Sequence, residues 1–110
     1  MIKIISFEDF KKIYNAIPGE PEFELYFKNT NNTYMIIKYK EAVTFQRCGT
    51  MEEKSDEIKY ATLDELYNAK LIDGIMLKRD WNLITEIIID ETFNYLLDME
   101  NIKEIYDIEI

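Results

Sequence analysis

The stretch Glu22-Phe-Glu-Leu-Tyr-Phe-Lys28, the polar break Asn29-Thr-Asn-Asn32 and the run Thr33-Tyr-Met-Ile-Ile-Lys-Tyr-Lys40 decide the fold. The first run alternates with the two-residue period of a strand, putting Phe23, Leu25 and Phe27 on one face. The second is rich in β-branched and aromatic residues, and the break supplies turn formers. Together they predict an antiparallel hairpin. Pairing Asn29 with Thr33 across a three-residue loop sets Phe27 against Met35, Leu25 against Ile37 and Phe23 against Tyr39. On the opposite face the same register brings Glu24 to Lys38 and Glu22 to Lys40, so both faces are satisfied at once. Val43-Thr-Phe-Gln-Arg-Cys48 continues the meander, with Tyr39 opposite Val43 and Ile37 opposite Phe45.

An apolar sheet face of this size needs a cover. Upstream, Ser6 followed by Asp9 reads as a helix start, and Phe7, Phe10, Tyr14 and Ile17 form one stripe that Pro18-Gly19 ends. Downstream, Gly49 to Asp56 has the composition of a mobile loop, and Glu57-Ile-Lys-Tyr60 adds a short fourth strand. Thr62 with Glu65 makes a capping box for a helix running to Asn68-Ala69. Asp73-Gly74 is a turn, and Leu77, Trp81 and Ile84 recur at helical spacing. Glu86-Ile-Ile-Ile-Asp90 reads as a buried strand. In the last twenty residues Phe93, Leu96 and Leu97 suit a helix, whereas Ile108 and Ile110 suit an edge strand. The expected architecture is α+β: an N-terminal helix on an antiparallel meander of three to four strands, then short helices and a further strand or helix.

The 110 residues fit a single α+β domain spanning 1–110. One cysteine, Cys48, excludes an internal disulfide, and no apolar run has the length of a signal or membrane segment. A cytoplasmic protein without a membrane partner is expected.

The chemistry is bounded as firmly. With no histidine, Ser-His and Cys-His nucleophile pairs and the usual zinc constellations are absent. The three glycines are isolated, so no phosphate-cradling loop exists, and no calcium-loop spacing occurs. Cys48 beside Arg47 reads as a packing residue rather than a reactive thiol. No enzyme activity, cofactor or metal is expected.

Charge is the most distinctive property. Thirteen bases against 22 acids give −9, and the excess is uneven. Residues 1–79 hold 12 bases and 13 acids, whereas residues 80–110 hold nine acids and one base. Such a segment repels nucleic acid and attracts basic surfaces, so direct nucleic-acid binding is not expected. The candidate partner-binding residues are Asp90, Glu91, Asp98, Glu100, Glu104, Asp107 and Glu109. Tyr26 and Tyr34 join them, because the register places both on the charged face of the hairpin, where a tyrosine pair resembles a protein-binding patch. The bland alternatives are that the acidic segment is only a solvated face, and that the C-terminal segment folds over the charged face of the hairpin and makes it a second core.

Richness in Ile, Lys, Asn, Glu and Tyr with little Ala and Pro resembles proteins of AT-rich Gram-positive bacteria and their phages or mobile elements. Small acidic proteins of that background are similar to immunity proteins that block a basic toxin, or to phage inhibitors of host defence. That resemblance implies a non-catalytic inhibitor occupying a basic site on a protein partner. A housekeeping or structural domain is the rival.

Overall fold

In the computed structural model the described residues are 5–50, 52–89 and, for backbone pairing, 95–96. Helix α1 (Phe7–Ala16) opens as expected, the Ser6 hydroxyl accepting from the Asp9 amide at 3.1 Å. It buries Phe7, Phe10, Ile13 and Tyr14. Each such side chain contributes roughly 1.5–3 kcal/mol on leaving water. Strands β1 (Glu22–Phe27), β2 (Thr33–Lys38), β3 (Val43–Arg47) and β4 (Ile58–Tyr60) follow. Helix α2 (Leu63–Asn68) starts where Thr62 Oγ1 accepts from the Glu65 amide at 3.1 Å. The reciprocal bond comes from the Ala61 amide to the Glu65 carboxylate at 3.2 Å, one residue upstream of the usual capping box. A 3₁₀ turn (Ile72–Gly74), the short helix α3 (Leu77–Asp80), a second 3₁₀ turn (Trp81–Leu83), β5 (Ile84–Ile89) and the two-residue β6 (Tyr95–Leu96) complete the described chain. Leu96 therefore lies on a strand and not on a helix. Phe93, Leu97, Ile108 and Ile110 lie outside the described residues.

The six strands form one antiparallel sheet in the order β4-β3-β2-β1-β5-β6. The architecture is α+β, with α1, α2 and α3 contributing to the core on one face of the sheet. Phe10 meets Phe23 edge-on at 5.0 Å between ring centroids, and Phe7 stacks on Tyr67 at 3.6 Å. Leu63, Leu66, Leu77 and Trp81 join the same buried cluster as Phe23, Leu25 and Phe27. The Trp81 indole N–H donates to the Ile5 carbonyl at 3.0 Å, tying the start of the chain to the second 3₁₀ turn.

The hairpin register differs from the expectation. Glu24 pairs with Met35, Leu25 with Tyr34 and Phe23 with Ile36. A three-residue slip inverts β2, so Tyr34 and Ile36 face the helices, while Met35 and Ile37 lie behind them on the outer face. In β3, Phe45 opposes Ile36 rather than Ile37, and Val43 opposes Lys38 rather than Tyr39. Two physical reasons account for the slip. Residues 34–37 are buried on both faces of the sheet, so apolar content alone does not choose between them. Phe27, at the end of β1, pairs with Ile84 of β5 across a β-bulge, which leaves a six-residue connection from 27 to 32 in place of a tight loop.

The Glu24–Lys38 and Glu22–Lys40 pairs are consequently absent. Lys38 points to the helix side, where its ammonium donates to the Tyr14 and Ile17 carbonyls at 2.7 and 2.8 Å and lies 5.1 Å from the Tyr14 ring centroid. No residue of the last turn of α1 is basic, and the lysine is supplied from β2 instead. The segment after β3 is hydrogen-bonded to its neighbours: the Ser55 amide donates to the Arg47 carbonyl at 3.1 Å, and Arg47 Nε to the Glu53 carbonyl at 2.7 Å. Gly49 is fixed there by space, since a Cβ would lie 2.8 Å from Glu53 Cβ. No helix among the described residues is long and apolar enough to cross a membrane.

Candidate functional site

The corrected register gives the outer face its own composition. Reading across the sheet, Glu86, Tyr26 and Thr33 form one row; Ile88, Glu24, Met35 and Gln46 the next; Glu22, Ile37, Thr44 and Lys59 the third. Met35, Ile37 and Thr44 are buried at its centre. Around them stand two tyrosine–glutamate pairs of the same build. The Tyr26 hydroxyl donates to Glu24 Oε2 at 2.9 Å, and the Tyr39 hydroxyl donates to Glu57 Oε1 at 2.9 Å. Thr44 Oγ1, on a buried residue, donates to the same Glu57 oxygen at 2.9 Å. Desolvation, then the Glu24 hydrogen bond and the charges of Glu24 and Glu86, push the Tyr26 phenol up to about 12. The Tyr39 phenol is raised by its bond to Glu57, by burial, and by the charges of Glu57 and Glu20. Both hydroxyls therefore remain donors at any physiological pH.

The described ion pairs lie elsewhere. Lys11–Asp64 at 2.8 Å joins α1 to α2, Lys12–Asp9 lies on α1, and Arg47–Asp73 and Arg79–Asp80 lie around the 3₁₀ turn and α3. Among the described residues, Glu24, Glu57 and Glu86 take part in no ion pair. Two of these three accept hydrogen bonds from neutral hydroxyls instead.

Of the residues singled out from sequence, Tyr26 is half-buried on the outer face as expected. Tyr34 is not beside it: it lies on the helix side, 1% exposed, between Phe27 and the stacked Phe45 ring. The expected exposed tyrosine pair is therefore split, because inverting β2 turns every second side chain inward. Tyr39, expected on the apolar face, takes the outer position instead. Asp90, Glu91, Asp98, Glu100, Glu104, Asp107 and Glu109 lie outside the described residues. Glu57 and Glu86 carried no motif that marked them. Only the strand pairing brings them beside tyrosines.

At one end of the sheet sits a second polar cluster. The buried Tyr34 hydroxyl donates to Asp73 Oδ2 at 2.6 Å, and Arg47 Nη1 donates to both Asp73 oxygens at 2.8 and 2.9 Å. These bonds from Tyr34 and then Arg47 hold the Asp73 carboxyl below its usual range. Asp73 has φ 59°, a left-handed conformation that aspartate tolerates better than most residues. Asp80, 9% exposed, accepts from Arg79 and from the Met76 amide, and its carboxyl is likewise held down, chiefly by Arg79. Among the described residues no group of three or more Cys, Asp and Glu side chains could hold a metal ion. Compared with known proteins, the chain matches no family model, no curated protein and no solved structure.

Proposed function

We propose that this protein is a non-catalytic binding domain that docks its carboxylate-bearing outer sheet face onto a basic site of a protein partner. The observation that supports this reading is the pair of tyrosine–glutamate units on one face, with Glu86 beside the first of them. A glutamate neutralised by lysine offers little to a cation. One held by a neutral tyrosine hydroxyl is not compensated by a bonded cation and has already lost side-chain freedom, so less is lost again on binding. Tyrosine also supplies contact area at low entropic cost. A net charge of −9 adds long-range attraction for a basic surface. On this reading the acids at 90–109 extend the negative field, and immunity to a nuclease-type toxin is the first version of the function. A phage or mobile-element inhibitor that presents nucleic-acid-like charge is the second.

The test replaces Glu24, Glu57 and Glu86 with glutamine together and measures the association rate with a partner isolated from the native host, across ionic strength. The expected result is slower association and a flatter salt dependence, with dissociation changed less. A control triple, Glu52→Gln, Glu53→Gln and Asp56→Asn, removes the same formal charge from the loop after β3. Identical curves for the two triples would reduce the outer face to a solvated surface.

A further inference from the structure

Where the last turn of α1, the β2–β3 turn and the start of α2 meet lies a cavity of about 320 Å³. Lys11 and Asp64 on its wall pair with each other at 2.8 Å, which leaves Lys38 and Lys40 against Glu41. Among the described residues neither of those two lysines takes part in an ion pair. Lys38 spends two of its three N–H donors on the Tyr14 and Ile17 carbonyls, which are neutral groups. Burial pushes its ammonium below the ordinary lysine range, the direction expected where no carboxylate stands beside a cation.

A second observation concerns the same space. Tyr14 is 7% exposed, and its hydroxyl makes no hydrogen bond among the described residues. No sealed side-chain oxygen or nitrogen among those residues lacks a partner, so this hydroxyl is open, and Tyr14 lines the cavity. Its phenol, pushed up to about 12 by burial, is a donor at neutral pH.

We propose that this cavity binds a phosphate group, to which Lys38, Lys40 and the Tyr14 hydroxyl donate. The three donors come from separate places, the end of β2, the β2–β3 turn and α1. No arginine lines the cavity, so the planar fork that matches a carboxylate is missing, whereas point-like ammonium donors suit a tetrahedral oxyanion. Ala42 and Leu63 add apolar wall, and the volume leaves room for a few carbons beyond the phosphoryl oxygens. A free phosphate ion and a small phosphate monoester share this chemistry. The site uses none of Glu24, Glu57 and Glu86, and it stands whether or not the outer face binds a partner.

The experiment is a titration of the whole protein at constant ionic strength, followed by backbone amide shifts, with inorganic phosphate, glycerol phosphate and acetate. Saturable shifts confined to residues around 11–15, 38–42 and 61–64 are expected with both phosphates, and acetate should bind about tenfold more weakly or not at all. Tighter binding of glycerol phosphate assigns the site to an ester; equal or tighter binding of inorganic phosphate assigns it to the free ion. Tyr14→Phe removes a hydroxyl that no described residue uses, and Lys40→Gln changes an exposed position. Each should weaken phosphate about tenfold, the scale of one charge-assisted contact. Lys59→Gln, at an exposed lysine away from this wall, should titrate like the parent. The Glu24, Glu57 and Glu86 triple variant should bind phosphate no more weakly than the parent, which separates this site from the docking face. Shifts that do not saturate, equal affinity for acetate, parent-like affinity in Tyr14→Phe or Lys40→Gln, or equal weakening in Lys59→Gln would overturn the proposal.

Discussion

Leu25 and Glu24 are neighbours in sequence with opposite fates, and the contrast is measurable. Leu25 is fully buried in the core on the helix side of the sheet, so Leu25→Ala should cost about 2–5 kcal/mol through lost burial and a residual cavity. Glu24→Ala removes one hydrogen bond at a half-buried position, for roughly 0.5–1.5 kcal/mol. Urea melts giving equal losses would contradict the face assignment. Lys38 is the residue whose role sequence conceals most. Read as half of an exposed ion pair, it should be dispensable. Donating to two helix carbonyls, it should not be: Lys38→Met should destabilise by about 1–3 kcal/mol, leaving part-buried acceptors unanswered. Tyr14 supplies the pH arm. Burial raises its phenol from 10.0 to about 12, so the folded state binds that proton more tightly than the unfolded chain does. Stability from this group is complete below pH 10 and lost as pH rises toward 12. Tyr14→Phe should therefore move the alkaline unfolding midpoint upward in a circular-dichroism titration.

At the scale of elements, what could be read in advance was what local chemistry determines. The Ser6 cap, the stripe on α1, the stop before Pro18, the Thr62 cap and the alternation of β1 each rest on residues close in sequence, and each stands in the structure. Ser6→Ala should cost about 0.5–2 kcal/mol, the usual value of an N-cap oxygen. The register of β2 was not legible. Tyr34, Met35, Ile36 and Ile37 are all apolar, and a strand whose two parities are equally greasy carries no instruction about which side turns inward. The decision comes from β5, far along the chain, which takes Phe27 away from the hairpin. The candidate site suffered for the same reason. Tyr26 was placed correctly because β1 alternates cleanly, whereas Tyr34 and Tyr39 exchanged faces with the strand that carries them. Asp73 was legible only as a turn residue, since nothing local announces a tyrosine 39 positions earlier.

For the molecule as a whole, charge and fold divide the work. The described ion pairs join or brace the helical elements and the sheet end, while the outer face carries carboxylates without such partners. Asp73 and Asp80 couple that arrangement to pH. Their folded carboxyls sit below the usual value, so they favour the folded state above the unfolded carboxylate range and lose that effect as pH falls through the folded values. Acid unfolding should accordingly begin below about pH 4 for these groups, and Asp73→Asn should flatten that limb of the stability profile. A limb unchanged in Asp73→Asn would assign the acid sensitivity to other groups.

The strand order has a consequence for how the chain assembles. β1 lies near the middle of the sheet, yet its second neighbour, β5, is made more than fifty residues later. During synthesis β1 to β4 can zip as a meander, but one side of β1 keeps a row of unanswered amides and carbonyls until Ile84–Ile89 arrives. Such a bare rim is a template for any other extended chain. A fragment ending before Ile84 should therefore self-associate in light scattering where the full chain does not, and a separate peptide carrying residues 83–90 should suppress it. The last described long strand is thus a clasp, and its late arrival defines the interval in which a nascent chain is most open to misassembly.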